Sequence, residues 1–376
     1  MNRILIVART SYAGMGPYVS EIVNLFTKEH DNIYYFFRDY NDDYYRKNIK
    51  QELHPHSYFY KRANSSFNTL VDLCRNTEPY YKDVLRICKD KKINVVHFIN
   101  GIPHKSFVKK LKKEGIASIG TVHDLQAHEA KKAWYKMVRR HIIASRQIED
   151  LKECVNLITN SPHQYQELVT AYPSKNIMYH AFPSLVTPSI IKGNVPANEL
   201  DCIEKPYILF FGRIEEYKGT HLLYEAFLSN KGLSDKYNLV IAGSGKIYFD
   251  RQQDESKVIF INRYIRDEEV ASLYKNACCV VYPYLSATQS GVLSLAFYFQ
   301  CPTLASDVPF FESIISDTGV GLLFKKNDIN DLIGKLQKLL TSDLHKMTSL
   351  QHEFYNKNYE ADSIRNALID IYNKVQ

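Results

Sequence analysis

Ile208-Leu209-Phe210-Phe211-Gly212-Arg213-Ile214-Glu215-Glu216-Tyr217-Lys218-Gly219 begins as an apolar strand, runs out into Gly-Arg and reaches Lys-Gly just before a helix near His221–Ser229. An apolar run bounded by glycine and followed by a helix is the start of a strand–turn–helix unit. The alternation then continues through strands at Tyr237–Ala242, Val258–Ile261, Cys278–Tyr282 and Thr303–Ser306. Strands that alternate with helices build a parallel sheet covered on both faces, so the fold class is α/β. Two cations at the carboxyl end of such a strand suit a diphosphate, because Arg offers a planar fork of donors and Lys a point charge. A surface turn tolerates the same residues, and spacing alone does not decide between the two.

Two further turns in this half carry chemistry. Leu239-Val240-Ile241-Ala242-Gly243-Ser244-Gly245-Lys246 ends a strand in glycines but lacks the full Gly-x-Gly-x-x-Gly pattern. It suits either close backbone approach to a ligand or a plain tight turn. Val280-Val281-Tyr282-Pro283 leads through Tyr284-Leu285-Ser286-Ala287-Thr288-Gln289-Ser290-Gly291-Val292 into the apolar helix Leu293–Phe299. A polar loop entering a helix presents free N–H groups to an anion, although an ordinary capped helix reads the same way.

Outward from these segments, the first half repeats the alternation. Strands are expected at Arg3–Ala8, Ile33–Phe37, Val95–Ile99, Ala117–Val122 and Asn156–Thr159, with a Lys-rich helix at Ser106–Glu114 and a long one at about Ala130–Cys154. Gly14-Met15-Gly16-Pro17 follows the first strand. At 376 residues the chain suits two domains rather than one core. Residues 1–183 form the first, the aperiodic 184–205 connect, and 206–376 form the second, whose last helix is expected to pack back on the first. Two doubly wound, Rossmann-like halves would leave a ligand cleft between them. No apolar run approaches the roughly 20 residues of a membrane span, and Met1–Val7 reads as a buried strand rather than an export signal. The seven cysteines are scattered without a Cys-x-x-Cys pair, so reduced thiols in a cytoplasmic protein are expected. Residues 1–200 hold 29 Lys/Arg against 19 Asp/Glu, whereas 201–376 hold 19 against 22. A basic half suits a phosphate-bearing substrate, nucleic acid or an anionic membrane, and equally a merely solvated surface.

Taken together, these segments resemble the GT4-type retaining glycosyltransferases of the GT-B fold. The resemblance rests on Gly212-Arg213 with Lys218-Gly219, on Gly243-Ser244-Gly245, on Asn262-Arg263-Tyr264-Ile265 before Asp267-Glu268-Glu269, and on the frame Pro283–Pro302 followed by Ala305-Ser306-Asp307. In the first half Gly14-Met15-Gly16 stands where the family has its glycine loop, and Thr121-Val122-His123-Asp124 where it has a His-Asp pair near the donor sugar. One departure is plain: two positions eight apart where the family has glutamates for sugar and ribose hydroxyls hold Ala287 and Leu295, neither of which accepts a hydrogen bond through its side chain.

The resemblance implies transfer of a sugar from a nucleotide diphosphate sugar, with retention, to a glycan acceptor linked to a lipid, in surface polysaccharide synthesis. It implies catalytic roles for His123, Asp124, Arg213 and Lys218. It implies donor contacts from Gly14, Met15, Gly16, Gly212, Gly243, Ser244, Tyr264, Ile265, Thr288, Gln289, Ser290, Gly291 and Val292. No cofactor and no metal are expected, since no Asp-x-Asp pair occurs and two cations do a metal's work. The mixed basic and apolar segment Trp134–Ile143 suits the edge of an anionic membrane, hence a cytoplasmic protein peripheral at the inner face. Nucleic acid is not expected as a partner. A GT-B sugar-nucleotide epimerase and a catalytically inactive nucleotide-sugar-binding subunit stay open as alternatives.

Overall fold

The computed structural model of the chain describes residues 2–11, 15–39, 43–61, 80–123, 149–201, 203, 206–287 and 289–375. They form two compact units, one of Met1–Pro183 with Ala361–Gln376 and one of Ser184–Glu360.

The first unit is built on seven parallel strands. These are β1 (Ile4–Ala8), β2 (Ile33–Asp39), β3 (Ser57–Lys61), β4 (Val95–Phe98), β5 (Ala117–Val122), β6 (Asn156–Thr159) and β7 (Asn176–Tyr179), in the order β3-β2-β1-β4-β5-β6-β7. All five residues of β1 are buried, as expected of a parallel strand covered on both faces. Leu5 and Val7 pack with Phe36, Phe98 and Phe107 on one face, while Ile4 and Ile6 pack with Tyr18, Ile22 and Leu368 on the other. Strand order reverses between β1 and β4, the position where such sheets open a crevice at their carboxyl ends. There Asn100 ties the two loops together, accepting from the Arg9 N–H at 2.7 Å and donating to the Thr10 carbonyl at 2.7 Å.

The helix Ala361–Lys374 belongs to this unit through Ile364, Leu368, Ile371 and Tyr372. Its Tyr372 hydroxyl lies 2.8 Å from His97 Nδ1, and His97 Nε2 lies 2.8 Å from Thr121 Oγ1. The Lys-rich helix spans Lys105–Lys113 and buries Phe107, Val108 and Leu111 while Lys109, Lys110, Lys112 and Lys113 are exposed. Of the long helix expected at 130–154, residues 149–153 are helical and 124–148 lie outside the described residues, including the Trp134–Ile143 segment. No helix among the described residues is long and apolar enough to cross a membrane.

The second unit has six parallel strands: β8 (Tyr207–Phe211), β9 (Asn238–Ala242), β10 (Val258–Ile261), β11 (Ala277–Tyr282), β12 (Thr303–Ser306) and β13 (Leu322–Phe324), in the order β10-β9-β8-β11-β12-β13. Its reversal falls between β8 and β11. Residues 184–205, expected as a bare connection, are part of this unit instead. Thr187 caps a five-residue helix, Pro188–Lys192, and its hydroxyl donates to Asp267 Oδ2 at 2.7 Å. Ile190 and Ala197 are buried. A single helical turn is too short to leave a periodicity, so composition alone suggested a linker.

Burial lowers the pKa of His97 from 6.5 to about 3, helped by His180 and His123. The unfolded chain therefore binds a proton that the folded chain refuses as pH falls below 6.5. Denaturant midpoints measured from pH 7 to pH 4 should fall steadily, and His97→Gln should lower stability at pH 7 while flattening that slope.

Candidate functional site

Three turns meet at the carboxyl edge of the second sheet. After β8, the Gly212 N–H donates to the Ala242 carbonyl at 3.0 Å and the Ile214 N–H to that of Ser244 at 3.0 Å, so the β8 turn lies along the β9 turn. Gly243 has φ 142°, and a Cβ there would be driven into the Gly212 carbonyl oxygen. Its absent side chain thus serves the contact of the two turns, leaving Ser244 exposed at the rim. The third turn is locked in the same manner. Gly219 has φ 63°, and a Cβ there would overlap the Pro283 carbonyl oxygen. Beside it the Leu285 N–H donates to the Tyr217 carbonyl at 2.7 Å.

This packing fixes Lys218. Its ammonium donates to the Tyr284 hydroxyl at 2.6 Å and lies 4.1 Å from the Tyr284 ring centroid and 5.4 Å from that of Tyr217. Burial works against the charge, but Tyr284, Tyr217 and the nearby Glu215 carboxylate together outweigh it and hold the pKa above the ordinary lysine value. Among the described residues no carboxylate lies within ion-pair distance of it. Tyr284 is itself 1% exposed, and its carbonyl accepts from Ser306 Oγ at 2.6 Å. Arg213 is held differently: its side chain is 71% exposed and pairs with Glu215 at 2.9 Å. An exposed pair of this kind holds its partners weakly, so the guanidinium is free to exchange Glu215 for another anion.

The loop after β11 brings the next set. Ser290 is buried, Gln289 is half-buried, and the helix Val292–Tyr298 starts after Gly291 without a side-chain cap. Ser294 Oγ donates to the Gly291 carbonyl at 2.6 Å and accepts from the Leu185 N–H at 2.9 Å, which holds the loop from behind. Thr288 lies outside the described residues. Leu295 is 2% exposed and sits in the hydrophobic core, with Ala287 packed against that core. Neither presents a polar group. Beyond β10, Asn262 Oδ1 accepts from the Gly245 N–H at 3.1 Å. Arg263 spans Glu199 and the buried Glu269, fixing the backbone on which Tyr264 stands 74% exposed and Ile265 is buried. The Arg263 contacts lower the Glu269 pKa to about 2.

The remaining candidates lie in the first unit. His123 follows β5, with Nε2 3.1 Å from the Ile99 carbonyl and its ring edge-on to Tyr18 at 4.8 Å. Tyr18 donates to Asn160 Oδ1 at 2.9 Å, and Asn160 Nδ2 donates to the His180 carbonyl at 3.2 Å. Burial lowers the His180 pKa to about 4, with His123 adding to the shift against the Ala181 carbonyl. Met15 opens the helix Met15–Asn24 and Gly16 packs against Tyr44 and the Ser11 carbonyl. Gly14 and Asp124 lie outside the described residues. Sequence reasoning missed Tyr18, Asn160, His180 and Tyr284. Only Asn160, in the Asn-Ser-Pro sequence that ends β6, and Tyr284, directly after Pro283, stood at positions where a strand end could have drawn attention to them. Among the described residues no group of three His, Cys, Asp or Glu is arranged to hold a metal ion.

With this geometry in hand, comparison with known proteins gives a consistent result. Residues 199–361 match the family described as Glycosyl transferases group 1. This segment, less than half of the chain, is similar to that family. It takes in the Gly212–Gly219, Gly243–Gly245 and Pro283–Val292 turns. A search of curated proteins found no match to the chain. Solved structures match it over its whole length. Sucrose-phosphate synthase from Thermosynechococcus elongatus does so at 14% identity and TM-score 0.68, covering 99% of each chain. The Anabaena protein HepE in complex with UDP and glucose matches at 12% identity and TM-score 0.65, covering 100% of each. WaaG, a glycosyltransferase involved in lipopolysaccharide biosynthesis, matches at 15% identity and TM-score 0.63, covering 99% of this chain and all of its own. At these identities the likeness speaks for the fold, which is GT-B.

The turns of the second unit are joined backbone to backbone, so a single methyl should disturb them. Gly243→Ala should destabilise the protein by about 2 kcal/mol or more, combining the left-handed φ with the clash on Gly212. Thermal unfolding checks this, with Ser244→Ala, at the exposed rim, expected to stay within about 0.5 kcal/mol.

Proposed function

We propose that this chain transfers a sugar from a nucleotide diphosphate sugar to a glycan acceptor with retention of anomeric configuration. The observation that carries the reading is Lys218: an ammonium oriented by two tyrosines at the mouth of a strand turn, with no carboxylate within ion-pair distance of it among the described residues. A preoriented charge of this kind stabilises negative charge that grows on a leaving diphosphate, and it needs no reorganisation as the reaction proceeds. Arg213 supplies a second cation by leaving Glu215. The N–H groups of Ser290–Val292 supply neutral donors, with Thr288 and Gln289 before them. Gly212, Gly243 and Ser244 border the same turn, and Tyr264 and Ile265 stand where the base would lie. HepE, whose crystals contain UDP and glucose, supports a nucleotide sugar as donor.

In the transfer, the bond from the anomeric carbon to the diphosphate oxygen breaks and the acceptor oxygen bonds to the same face. The acceptor's proton passes to the departing phosphate oxygen, so no protein base is required. His123, steered by Ile99 and Tyr18, positions the sugar together with Asp124, and Gly14, Met15 and Gly16 border the sugar on the first unit. Neither a cofactor nor a metal takes part in this reading.

The acceptor is a lipid-linked glycan of a surface polysaccharide, met by a cytoplasmic protein at the inner membrane face. The basic first half and the exposed lysines of Lys105–Lys113 support that assignment, as does the involvement of WaaG in lipopolysaccharide biosynthesis. One observation favours a second reading, an inactive nucleotide-sugar-binding subunit: Leu295 is sunk in the core and Ala287 is apolar, which leaves ribose and sugar hydroxyls without these acceptors. Product analysis against a panel of donors, with and without acceptor, separates transfer from epimerisation and from binding alone.

In that assay Lys218→Ala or Arg213→Ala should lower turnover by about 10²–10³, the scale for one lost charge donor in the transition state. Unfolding midpoints should change little for Arg213→Ala, whose side chain is exposed. Activity of the unaltered protein should persist in excess chelator. Its loss on chelation and return with a divalent ion would reassign the charge stabilisation to a metal.

A further inference from the structure

At the opposite edge of the second sheet a cleft of about 490 Å³ opens between the end of the helix Asp267–Lys275, the end of Val292–Tyr298 and the helix His345–Asn358. Lys275 lies two residues before β11 and Gln300 three before β12, so the cleft lies at the amino ends of these strands. The turns of Gly212, Gly243 and Ser290 lie at carboxyl ends, and nothing in the proposed transfer uses the cleft.

Its lining combines aromatic rings and the aliphatic Ile191 with amide and charged groups. Tyr298, half-exposed, stands edge-to-face with Phe299 at 5.0 Å and with the buried Tyr355 at 5.1 Å between ring centroids. Around these rings stand Gln300, His352, Asn356, Lys275 and Glu360, and among the described residues neither Lys275 nor Glu360 forms an ion pair. A half-exposed tyrosine rimmed by amide and charged groups matches the two sides of a pyranose, whose C–H surface packs on a ring while its hydroxyls both donate and accept. The volume is within the range of small-ligand sites.

An independent observation concerns Gln300. The helix Val292–Tyr298 ends in a Schellman arrangement, in which the Gln300 N–H donates to the Phe297 carbonyl at 3.2 Å and the Cys301 N–H to that of Ala296 at 2.9 Å. Gln300 accordingly has φ 53°. Glycine is the residue that occupies this place at least cost. Here the chain instead carries an exposed glutamine whose side chain lines the cleft. Backbone strain retained at a cleft of fitting chemistry has the character of a functional residue.

We infer that this cleft is a second, non-catalytic carbohydrate-binding site that holds a stretch of glycan on Tyr298, with Gln300 and Asn356 engaging its hydroxyls. Such a site would keep an oligosaccharide product or acceptor attached to the second unit between turnovers.

The test uses the full chain without nucleotide and titrates tetrasaccharides of glucose, of galactose and of N-acetylglucosamine, followed by ligand-observed magnetic resonance. At least one should bind. Tyr298→Ala and Gln300→Gly should each weaken it tenfold or more, while Gln300→Gly keeps or raises the thermal midpoint because glycine relieves the left-handed strain. Lys218→Ala should bind the sugar as the unaltered protein does, which separates this cleft from the donor turn. Absence of binding by all three tetrasaccharides would overturn the inference. So would unchanged affinity in Gln300→Gly, or binding lost in Lys218→Ala but kept in Tyr298→Ala.

Discussion

The contact of Gly219 with the carbonyl of Pro283 is the constraint on which the site depends. Two loops more than sixty positions apart are pressed together so closely that no side chain fits at residue 219. Because the Tyr217 carbonyl also accepts from the Leu285 N–H, the backbone on both sides of Lys218 is fixed, and its ammonium is held at the Tyr284 hydroxyl. The rings on either side compensate for lost hydration without neutralising the charge. A carboxylate partner would have stabilised Lys218 equally well and made it useless for an incoming diphosphate. The aromatic cradle therefore joins a folding requirement to a chemical one. Arg213 illustrates the contrary solution, an exposed cation resting on a carboxylate that water already screens.

Much of the fold was legible because parallel strands buried on both faces are written as short apolar runs. Arg3–Ala8, Ala117–Val122, Asn156–Thr159, Tyr207–Phe211 and Val258–Ile261 each coincide with an observed strand to within a residue. The strands not anticipated are those at or near sheet margins. Ser57–Lys61 is half-exposed along most of its length, Asn176–Tyr179 has one buried residue, and Leu322–Phe324 has only three residues. The short helix inside 184–205 was invisible for a different reason, since one capped turn carries no period. At the site, the cations and glycines were legible from their position at strand ends. Tyr284 was not, because its role depends on a contact across the sheet with Lys218. The glycines of Gly243–Gly245 were read as a turn or a ligand approach; they do form a turn, and it packs against the turn after β8.

The first unit carries a polar core that composition gave no reason to expect. His97 joins β4 to Thr121 on β5 and to Tyr372 on the last helix, and Tyr18, Asn160 and His180 form a second chain behind His123. Buried polar groups are tolerated only when they are hydrogen-bonded, and these supply the pairing for one another. The consequence is twofold. His97 fastens residues 361–375 to a sheet whose strands come from the start of the chain, and Tyr18 gives the His123 ring a fixed edge to rest on. Both make neutral imidazole part of the fold, which couples the integrity of this unit to pH.

The central claim is that Lys218, held by Tyr284 and Tyr217, is an anion grip rather than a structural lysine. Calorimetry with UDP, GDP and ADP alongside uridine, guanosine and adenosine measures this without relying on the acceptor or on turnover. One diphosphate should bind more tightly than its nucleoside, and Lys218→Met should remove most of that preference while the nucleoside binds as before. A diphosphate preference that survives Lys218→Met undiminished would contradict it.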